Sequence, residues 1–572
     1  MYAWHGRALE IDLATGQNSL ISLSPGVLHH CLGGRGLAGY LLRSASAVSP
    51  PATPLFALAC GPFCGTEVET GERLVAVFRS PLTGGIFDLS SGCSFAGALK
   101  RAGFDALVIK GVAPRLSCLS IACEGGRLTA VLELAGVKSE QVLAAFPDQA
   151  ALVIGPAGEN RVRYASVIAS DGEPLGRGGL GAVFGQMQLK AVCCSGSLQV
   201  RVADPAASLR AKADIQRLYN ASPYLTGPLG IGACGTAALL DLTQARRMLP
   251  TANFKRSFFE HAEDFSAFRL KQQPGFTADP CPGCRIACRK RAASGELPEY
   301  DSLAHFSALI EGLSLNQVLE ANRSCRSLGL DPISAAVVLA TCFENQDKSA
   351  ASPNLPRLLE QIAHRQGAGA ELADGLKQYL RRQQCADQPD FTLKGLELSG
   401  FDPRGAWGMA LSMAVATTGD YGHALAHYHE LLRKPVPTER LSLSGKARII
   451  QLAEEVVAAC DSLAVCRHTL IAAGLEEYAA LLSAISGIEF DPARLVASGR
   501  QTLLRERWLN QQYGFSAADD LLPPQFFSGT GQSETAPSSL NLDDFMAERR
   551  RYYALRGLNA AGQLSLPPEE PA

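Results

Sequence analysis

The stretch Cys281-Pro-Gly-Cys284-Arg-Ile-Ala-Cys288 constrains this chain more than any other, because it sets three cysteines within eight residues. Asp279-Pro280 and a Pro-Gly turn open it, and the basic run Arg289-Lys290-Arg291 closes it. A C-x-x-C-x-x-x-C loop can aim three thiolates at one centre, and a ligand from elsewhere would complete a four-thiolate site. Zinc usually takes its ligands as two separated C-x-x-C knuckles, whereas an iron–sulfur cube accepts three clustered cysteines and a distant one. The order is also the reverse of the radical-enzyme signature. The spacing therefore favours a [4Fe–4S] cluster, with zinc and buried structural cysteines as the alternatives.

At 572 residues the chain has room for three or four domain-sized units. Its 53 Lys plus Arg balance 55 Asp plus Glu, which leaves no footprint for nucleic acid or an anionic membrane surface. No apolar run approaches the ~20 residues of a membrane span, and the N-terminus lacks a basic region followed by an apolar stretch. The 17 cysteines are odd in number and sit largely in apolar context. That suits reduced thiols in a cytoplasmic protein.

Residues 1–200 read as β-rich, with short apolar runs between glycine and proline turns. Glycine concentrates in Gly33-Gly34-Arg35-Gly36, Gly84-Gly85, Ser90-Ser91-Gly92 and Gly176-Arg177-Gly178-Gly179-Leu180-Gly181, with Arg73 and Arg79 nearby. Such loops bring backbone N–H groups close to an anion, so several of them with arginines favour a phosphorylated ligand. The alternative is ordinary tight turns. The last loop spells G-x-G-x-x-G, but 164–169 is too far upstream and 189–194 reads as a strand where a helix is required, so a dinucleotide site is rejected. After Asp204-Pro205 the pattern turns helical, at 207–219, 300–313, 319–328, 335–344, 407–416 and 447–459. The span 346–391 loosens it, and 528–539 reads as a surface loop.

Read end to end, the chain carries Gly33-Gly-Arg-Gly-Leu, Ser80-Pro-Leu-Thr-Gly, Gly155-Pro-Ala-Gly-Glu-Asn, and Gly176-Arg-Gly-Gly-Leu-Gly-Ala-Val-Phe-Gly before Leu189-Lys-Ala. Then come Leu249-Pro-Thr-Ala-Asn-Phe, the cysteine loop, Pro298-Glu-Tyr, Gly329-Leu-Asp, Asp402-Pro-Arg-Gly, Asp461-Ser-Leu-Ala-Val-Cys466 and Tyr552-Tyr-Ala-Leu-Arg-Gly. In this order and spacing they resemble the aldehyde:ferredoxin oxidoreductase family of tungsten or molybdenum bis-pterin enzymes. The sequence departs from the family at Cys93, Met187, Ser334-Ala335-Ala336 and Ala464.

The resemblance implies an α+β fold: a β-rich cofactor-binding domain at 1–205, then two mainly α-helical domains at 206–400 and 401–572. It implies Cys466 as the fourth thiolate beside Cys281, Cys284 and Cys288, with Cys460 as the competing candidate. Asp331 and Asp461 would each accept hydrogen bonds from one pterin, since a carboxylate can take two N–H groups in parallel; the alternative for each is a helix cap. Arg73, Ser90, Gly92, Arg177, Gly178 and Gly179 would line the pterin phosphates, an arrangement compatible with a bridging magnesium. Glu299 and His423 match the family's acid and base. His423 and His427 also stand at helical spacing, but without the glutamate of a zinc motif, so packing or hydrogen bonding is the expectation for His427. The expected reaction is oxidation of an aldehyde to a carboxylic acid. Electrons would leave through the cluster to ferredoxin or a small iron–sulfur subunit, because no spare C-x-x-C set remains for a second cluster. A homodimer is among the assemblies the resemblance allows. Rival expectations are reduction of carboxylic acids, another substrate, or a cofactor-poor electron-transfer or structural subunit.

Overall fold

A computed structural model describes residues 2–50, 52–344, 354–384, 388–432, 437–528 and 539–571, without the side chains of residues 426 and 427. Most of the loop expected at 528–539 and the side chain of His427 therefore lie outside the described residues.

The N-terminal region is built on two six-stranded sheets. The first runs Gln17–Ser22, Arg7–Asp12, Ala106–Lys110, Leu55–Cys60, Arg73–Arg79, Ile86–Gly92, with one parallel pair, Arg7–Asp12 on Ala106–Lys110. The second runs Pro174–Leu175, Val167–Ala169, Ala150–Val153, Leu189–Cys194, Ser117–Ala122, Gly125–Ala130, again with one parallel pair. Strand alternation sorts the side chains by size. Phe56, Leu58, Leu74, Phe78, Leu107 and Ile109 face the second sheet, where they meet Leu119, Ile121, Leu152 and Val192. The smaller Ala57, Ala59, Val75, Val77, Ala106 and Val108 face outward and admit the helix Gly34–Val48.

That helix is the joint between the sheets and the C-terminal part of the chain. It packs against the helices Lys446–Leu463 and Pro492–Gln512, and the first of these also packs on Leu542–Arg556. The approach is close enough to need glycine. A Cβ at Gly34 would fall 2.1 Å from the Asp461 carbonyl oxygen, and one at Gly61 would fall 1.9 Å from that of Leu463. Cores accordingly ignore chain order: one gathers Trp4, Leu37 and Val75 with Leu463, Tyr478 and Leu495, and another runs from Ala157 to Tyr553. Among the described residues no single helix is long and apolar enough to cross a membrane.

Most expected helices are present, several of them longer and capped by their own sequence. Asp204 accepts from the Ala207 N–H at the start of Pro205–Ala221. Ser314 and Gln317 form a reciprocal capping box before Leu315–Leu328. Two local expectations are corrected. The helix from Tyr300 keeps α geometry only to Ala304 and then winds as a π turn over His305–Leu309. There the His305 ring meets the carbonyls of Asp301 at 2.7 Å and Leu398 at 3.0 Å. The strand expected straight after the G-x-G-x-x-G stretch is preceded by a short helix, Leu180–Gln186, which begins at left-handed Gly179 (φ +85°) and buries Leu180, Val183 and Phe184 between the sheets. The strand before it, Pro174–Leu175, pairs antiparallel, so this is no parallel strand–helix–strand crossover.

Glycine roles differ sharply around these joints, and substitution should show it. Gly61→Ala should lower stability by about 1–3 kcal/mol through overpacking. Gly176→Ala, where a Cβ meets nothing within 4 Å and φ is not positive, should stay within about 0.5 kcal/mol. Chemical denaturation of both variants checks the contrast, and equal losses would contradict it.

Candidate functional site at the cysteine loop and two arginine knots

The cysteine loop is tied at both ends. Thr277–Ala278, Lys290–Ala292 and Gly295–Glu296 form a three-stranded antiparallel sheet across its stems. The Arg289 guanidinium binds Asp279 at 2.7 Å and also Glu173, and donates to the Asp171 carbonyl at 3.1 Å. Within the loop the Cys284 N–H donates to the Cys281 carbonyl at 3.1 Å, closing the turn through Gly283 at φ +67°. Ala287 follows at φ +54°, uncommon for a residue with a Cβ, and its carbonyl accepts Lys290 Nζ at 2.7 Å. The Thr70 N–H reaches the Gly283 carbonyl at 3.3 Å and fastens the loop to the first sheet's side of the molecule.

Cys281, Cys284, Cys288 and Cys466 line one cavity of about 190 Å³, together with Thr70, Glu72, Arg73, Ser90, Gly92, Glu173, Thr236, Glu299 and His468 among others. Cys466 arrives there because the helix Lys446–Leu463 stops at left-handed Ala464 (φ +54°), two residues before it. Cys460 stays inside that helix, fully buried in the core, with Sγ against the Val465 carbonyl at 3.5 Å. Gly92 is shaped to the loop, since a Cβ there would lie 2.9 Å from Cys281 Cβ. Burial raises the thiols of Cys281, Cys284 and Cys288 above the ordinary range. Among the described residues no three His, Cys, Asp or Glu side chains converge on one point suited to a single metal ion. Four thiols lining one cavity, three from one loop and one from a distant segment, fit the ligand pattern of an iron–sulfur cluster better than the paired knuckles usual for zinc.

Beside this cavity lies a buried knot of charge centred on Arg35, which is 0% exposed. Its guanidinium holds both Glu506 oxygens at 2.7 and 2.6 Å and Asp461 Oδ2 at 3.2 Å, with Asp88 Oδ1 at 3.4 Å. Arg467 grips Asp461 through two 2.7 Å bonds and reaches Asp88 Oδ2 at 3.1 Å. Burial disfavours the Asp88 charge, but Arg35, His423 and Arg467 outweigh it and hold its carboxyl well below the usual range. His423 sits in the same knot. Arg35 Nη2 is 3.2 Å from Nδ1, and an arginine can only donate, so Nδ1 accepts and Nε2 carries the proton. Nε2 is 3.2 Å from Thr418 Oγ1 and 3.0 Å from Asp88 Oδ1.

A second knot surrounds Arg177. It donates to Asp420 at 3.3 Å and to the Glu397 carbonyl, while its Nε stands 3.8 Å from Asp331 Oδ2 and has no hydrogen-bond partner. Asp331 accepts from the N–H groups of Ile333 at 3.1 Å and Ser334 at 3.2 Å, so it caps the helix Pro332–Glu344 as well as facing Arg177. The segment 417–423 bridges the two knots, with Asp420 on one and His423 on the other. Between them Tyr421 donates to Asp301 Oδ2 at 3.1 Å, and the Gly400 N–H donates to Oδ1 at 2.7 Å. Buried polar atoms with no hydrogen-bond partner include Thr70 Oγ1 at the cavity, Ser91 Oγ beside Ser90 and Arg177 Nε in the second knot. Such atoms fit a ligand carrying both donors and acceptors.

Comparison with known proteins agrees along the whole chain. Residues 8–196 match the pattern described as aldehyde ferredoxin oxidoreductase, N-terminal domain, and residues 210–567 match that of domains 2 and 3. The chain belongs to the aldehyde ferredoxin oxidoreductase family. It is thus a member of an oxidoreductase family. The tungsten-containing aldehyde ferredoxin oxidoreductase of Pyrococcus furiosus is 30% identical over 99% of this chain and 98% of that protein, and the one of Thermococcus kodakarensis matches equally. The WOR-like subunit of an aliphatic sulfonate oxidoreductase from Pyrococcus furiosus is 23% identical over 100% of this chain and 96% of that protein. The fold is shared with the active-site complex BamBC of benzoyl coenzyme A reductase, at a TM-score of 0.79 and 21% identity, covering 98% of this chain and 96% of that one.

Within this family member the sequence-derived residues fall into three places. The four cysteines, Arg73, Ser90, Gly92 and Glu299 share the cavity, where Arg73 donates to Ser90 Oγ at 3.2 Å and to its carbonyl at 2.9 Å. Asp461 and His423 belong to the Arg35 knot; Arg177 and Asp331 form the second. Gly178 (φ +70°) and Gly179 are needed for packing whatever the loop binds, because a Cβ would meet the Phe87 ring at 2.6 Å or the Arg163 carbonyl at 2.0 Å. Arg79 lies apart, stacked 4.4 Å over the Tyr513 ring. Sequence reasoning missed Asp88, Asp420, Tyr421, Arg467 and Glu506. Arg467 had a signal, since it directly follows Cys466.

Glu299 lines the cavity with its side chain still accessible there; withdrawal from bulk solvent and then the charge of Glu173 raise its carboxyl, to about 7. Burial raises Asp301 to about 6, with Asp420 adding to it and the Gly400 N–H, Arg177 and Tyr421 opposing. A carboxyl raised on folding favours the folded state most at low pH, and that benefit is lost as pH rises through the folded value. Asp301→Asn should therefore gain on wild type in melting temperature as pH goes from about 4 to 7. A pH-independent difference would count against the raised value.

Proposed function

We propose that the chain is a tungsten (or molybdenum) bis-pterin oxidoreductase that converts an aldehyde and water to a carboxylic acid, releasing two electrons and two protons. The electrons would leave singly through a [4Fe–4S] cluster on Cys281, Cys284, Cys288 and Cys466 to ferredoxin or a small iron–sulfur subunit, in the cytoplasm. The observation that carries this reading is that all four cysteines and the expected phosphate-side residues Arg73, Ser90 and Gly92 line the same cavity. The names of the relatives from Pyrococcus and Thermococcus support tungsten and the aldehyde. Bound, the metal–pterin group would supply the two-electron chemistry.

The chain's own residues would bind and manage protons. Asp331 and Asp461 would accept from one pterin each; Asp461 Oδ2 already accepts from both Arg35 and Arg467, and Oδ1, which accepts from Arg467 alone, has one lone pair left for it. Arg73, Ser90, Gly92, Arg177, Gly178 and Gly179 would lie along the phosphates and a bridging magnesium. Glu299, raised to about 7, has the proton affinity of a general base near neutrality. His423, with Nδ1 held by Arg35, presents only Nε2–H as a donor.

The sulfonate-named relative, matched at full length, favours a second reading in which this fold acts on another substrate. Anaerobic purification, elemental analysis and an aldehyde panel with a viologen acceptor separate the readings. We expect about four irons with tungsten or molybdenum, and dye reduction by aldehydes. Iron with neither metal would instead support an electron-transfer subunit. Cys466→Ser should lose iron or shift the cluster potential strongly, and Cys460→Ser should do neither; the reverse pattern would reassign the fourth ligand. Glu299→Gln should lower kcat by about 10²–10⁴-fold at unchanged metal content. A near-wild-type rate across the pH range would remove Glu299 from the chemistry.

A further inference from the structure

His468 lines the cysteine cavity, two residues past Cys466. Its Nδ1 lies 3.0 Å from the Tyr224 hydroxyl and 2.9 Å from that of Tyr428, and the two hydroxyls are 3.4 Å apart. Burial raises both phenols, so both keep their protons. A phenol must donate its O–H, and we assign Nδ1, met by two phenol hydroxyls, as the acceptor. The ring's N–H is then Nε2, which makes no hydrogen bond to the protein among the described residues. A ring clamped by two tyrosines at Nδ1 thus offers its Nε2–H at the cavity wall.

We propose that His468 is a positioning residue that donates a hydrogen bond from Nε2 to a sulfur of the cluster and thereby raises its reduction potential. The inference rests on the cluster reading above. Reduction adds negative charge to the cluster, so a donor at its sulfur stabilises the reduced form more than the oxidised one. Tyr224 and Tyr428 act at one remove, by fixing the tautomer and the ring plane, as outer partners of metal-site histidines do.

The test uses the anaerobically purified full chain, with iron analysis and redox titration of the reduced-cluster EPR signal. His468→Phe keeps the ring's bulk and removes the donor; we expect wild-type iron and a reduced-to-oxidised ratio about tenfold lower at fixed potential, 59 mV for a one-electron couple. His468→Gln replaces the donor at a similar reach and should return most of the shift. Wild-type reduced protein should also show a coupled exchangeable proton, lost in deuterated buffer and lost in His468→Phe. Four irons at an unshifted potential in His468→Phe, or an equal shift in His468→Gln, would overturn the assignment. Should His468→Phe lose iron, absence of the exchangeable coupling in wild type would overturn it, and its presence would support it. Wild-type protein without four irons would overturn the cluster reading, and this inference with it; wild-type iron with no His468 effect would overturn this inference alone.

Discussion

Arg35 is the interaction on which the arrangement depends. A fully buried guanidinium is tolerable only with its charge and donors met, and here Glu506, Asp461 and Asp88 come from three separate parts of the chain to meet them. Removing one partner of such a buried set typically costs about 3–5 kcal/mol, because the remaining charge is stranded. The arginine sits in the first turns of the helix Gly34–Val48, whose glycines let the Asp461 carbonyl approach; the carboxylates sit on a sheet strand and two C-terminal helices. Docking of the sheets onto the helices and construction of the site are therefore one event. His423 inherits its tautomer from the same contact, so a group read from sequence as an acid or base is specified by an arginine far from it in the chain.

The two sheets suggest why there are two knots. Each has six strands with one parallel pair, and each is followed or flanked by a glycine-arginine-glycine stretch that turns into a helix. Arg35 faces Asp461 and Arg177 faces Asp331, both across to helical segments. The knots are not equivalent in strength. Arg35 makes four hydrogen bonds at 3.2 Å or less, whereas Arg177 leaves Nε unpaired and stands off Asp331 by 3.8 Å. A polar ligand between the knots would thus find fixed charge on one side and spare hydrogen-bonding capacity on the other.

What was legible in the sequence was what is local. The cysteine loop, its Pro-Gly turn and the helix start after Asp204-Pro205 depend on residues a few positions apart, and they form as their spacing says. The β-to-helix change after Pro205 was equally plain, because strand and helix periods differ. The knots were not, since Asp88 and Glu506 look like any acids in a strand and a helix, and their partner is more than 50 or 450 residues away. The short helix that the G-x-G-x-x-G stretch opens was missed for a related reason. Its glycines answer to Phe87 and to the Arg163 carbonyl, neighbours that no window of sequence contains. The π turn at His305 is likewise set by a carbonyl at Leu398.

One short segment carries the mechanical link between cavity and knots. From Asp461, bound to Arg35, the helix ends at left-handed Ala464, and the next residues alternate in allegiance: Cys466 to the cavity, Arg467 back to Asp461 and Asp88, His468 to the cavity again. Arg467 can hold two carboxylates only if the turn keeps this register, and Cys466 can face the other three thiols only under the same condition. The positive φ at Ala464 is what makes the turn this tight, and a Cβ is tolerated there at some strain because the surrounding contacts over-determine it. Arg73 closes the circuit from the sheet side. It is anchored on Ser90 in the neighbouring strand, and its charge lies close to both Cys281 and Cys466. The arginines at the cavity are Arg73 and Arg289, and Arg467, next in sequence to Cys466, shares its carboxylates with the arginine that fixes His423, which ties the charge of the cavity to that of the knot.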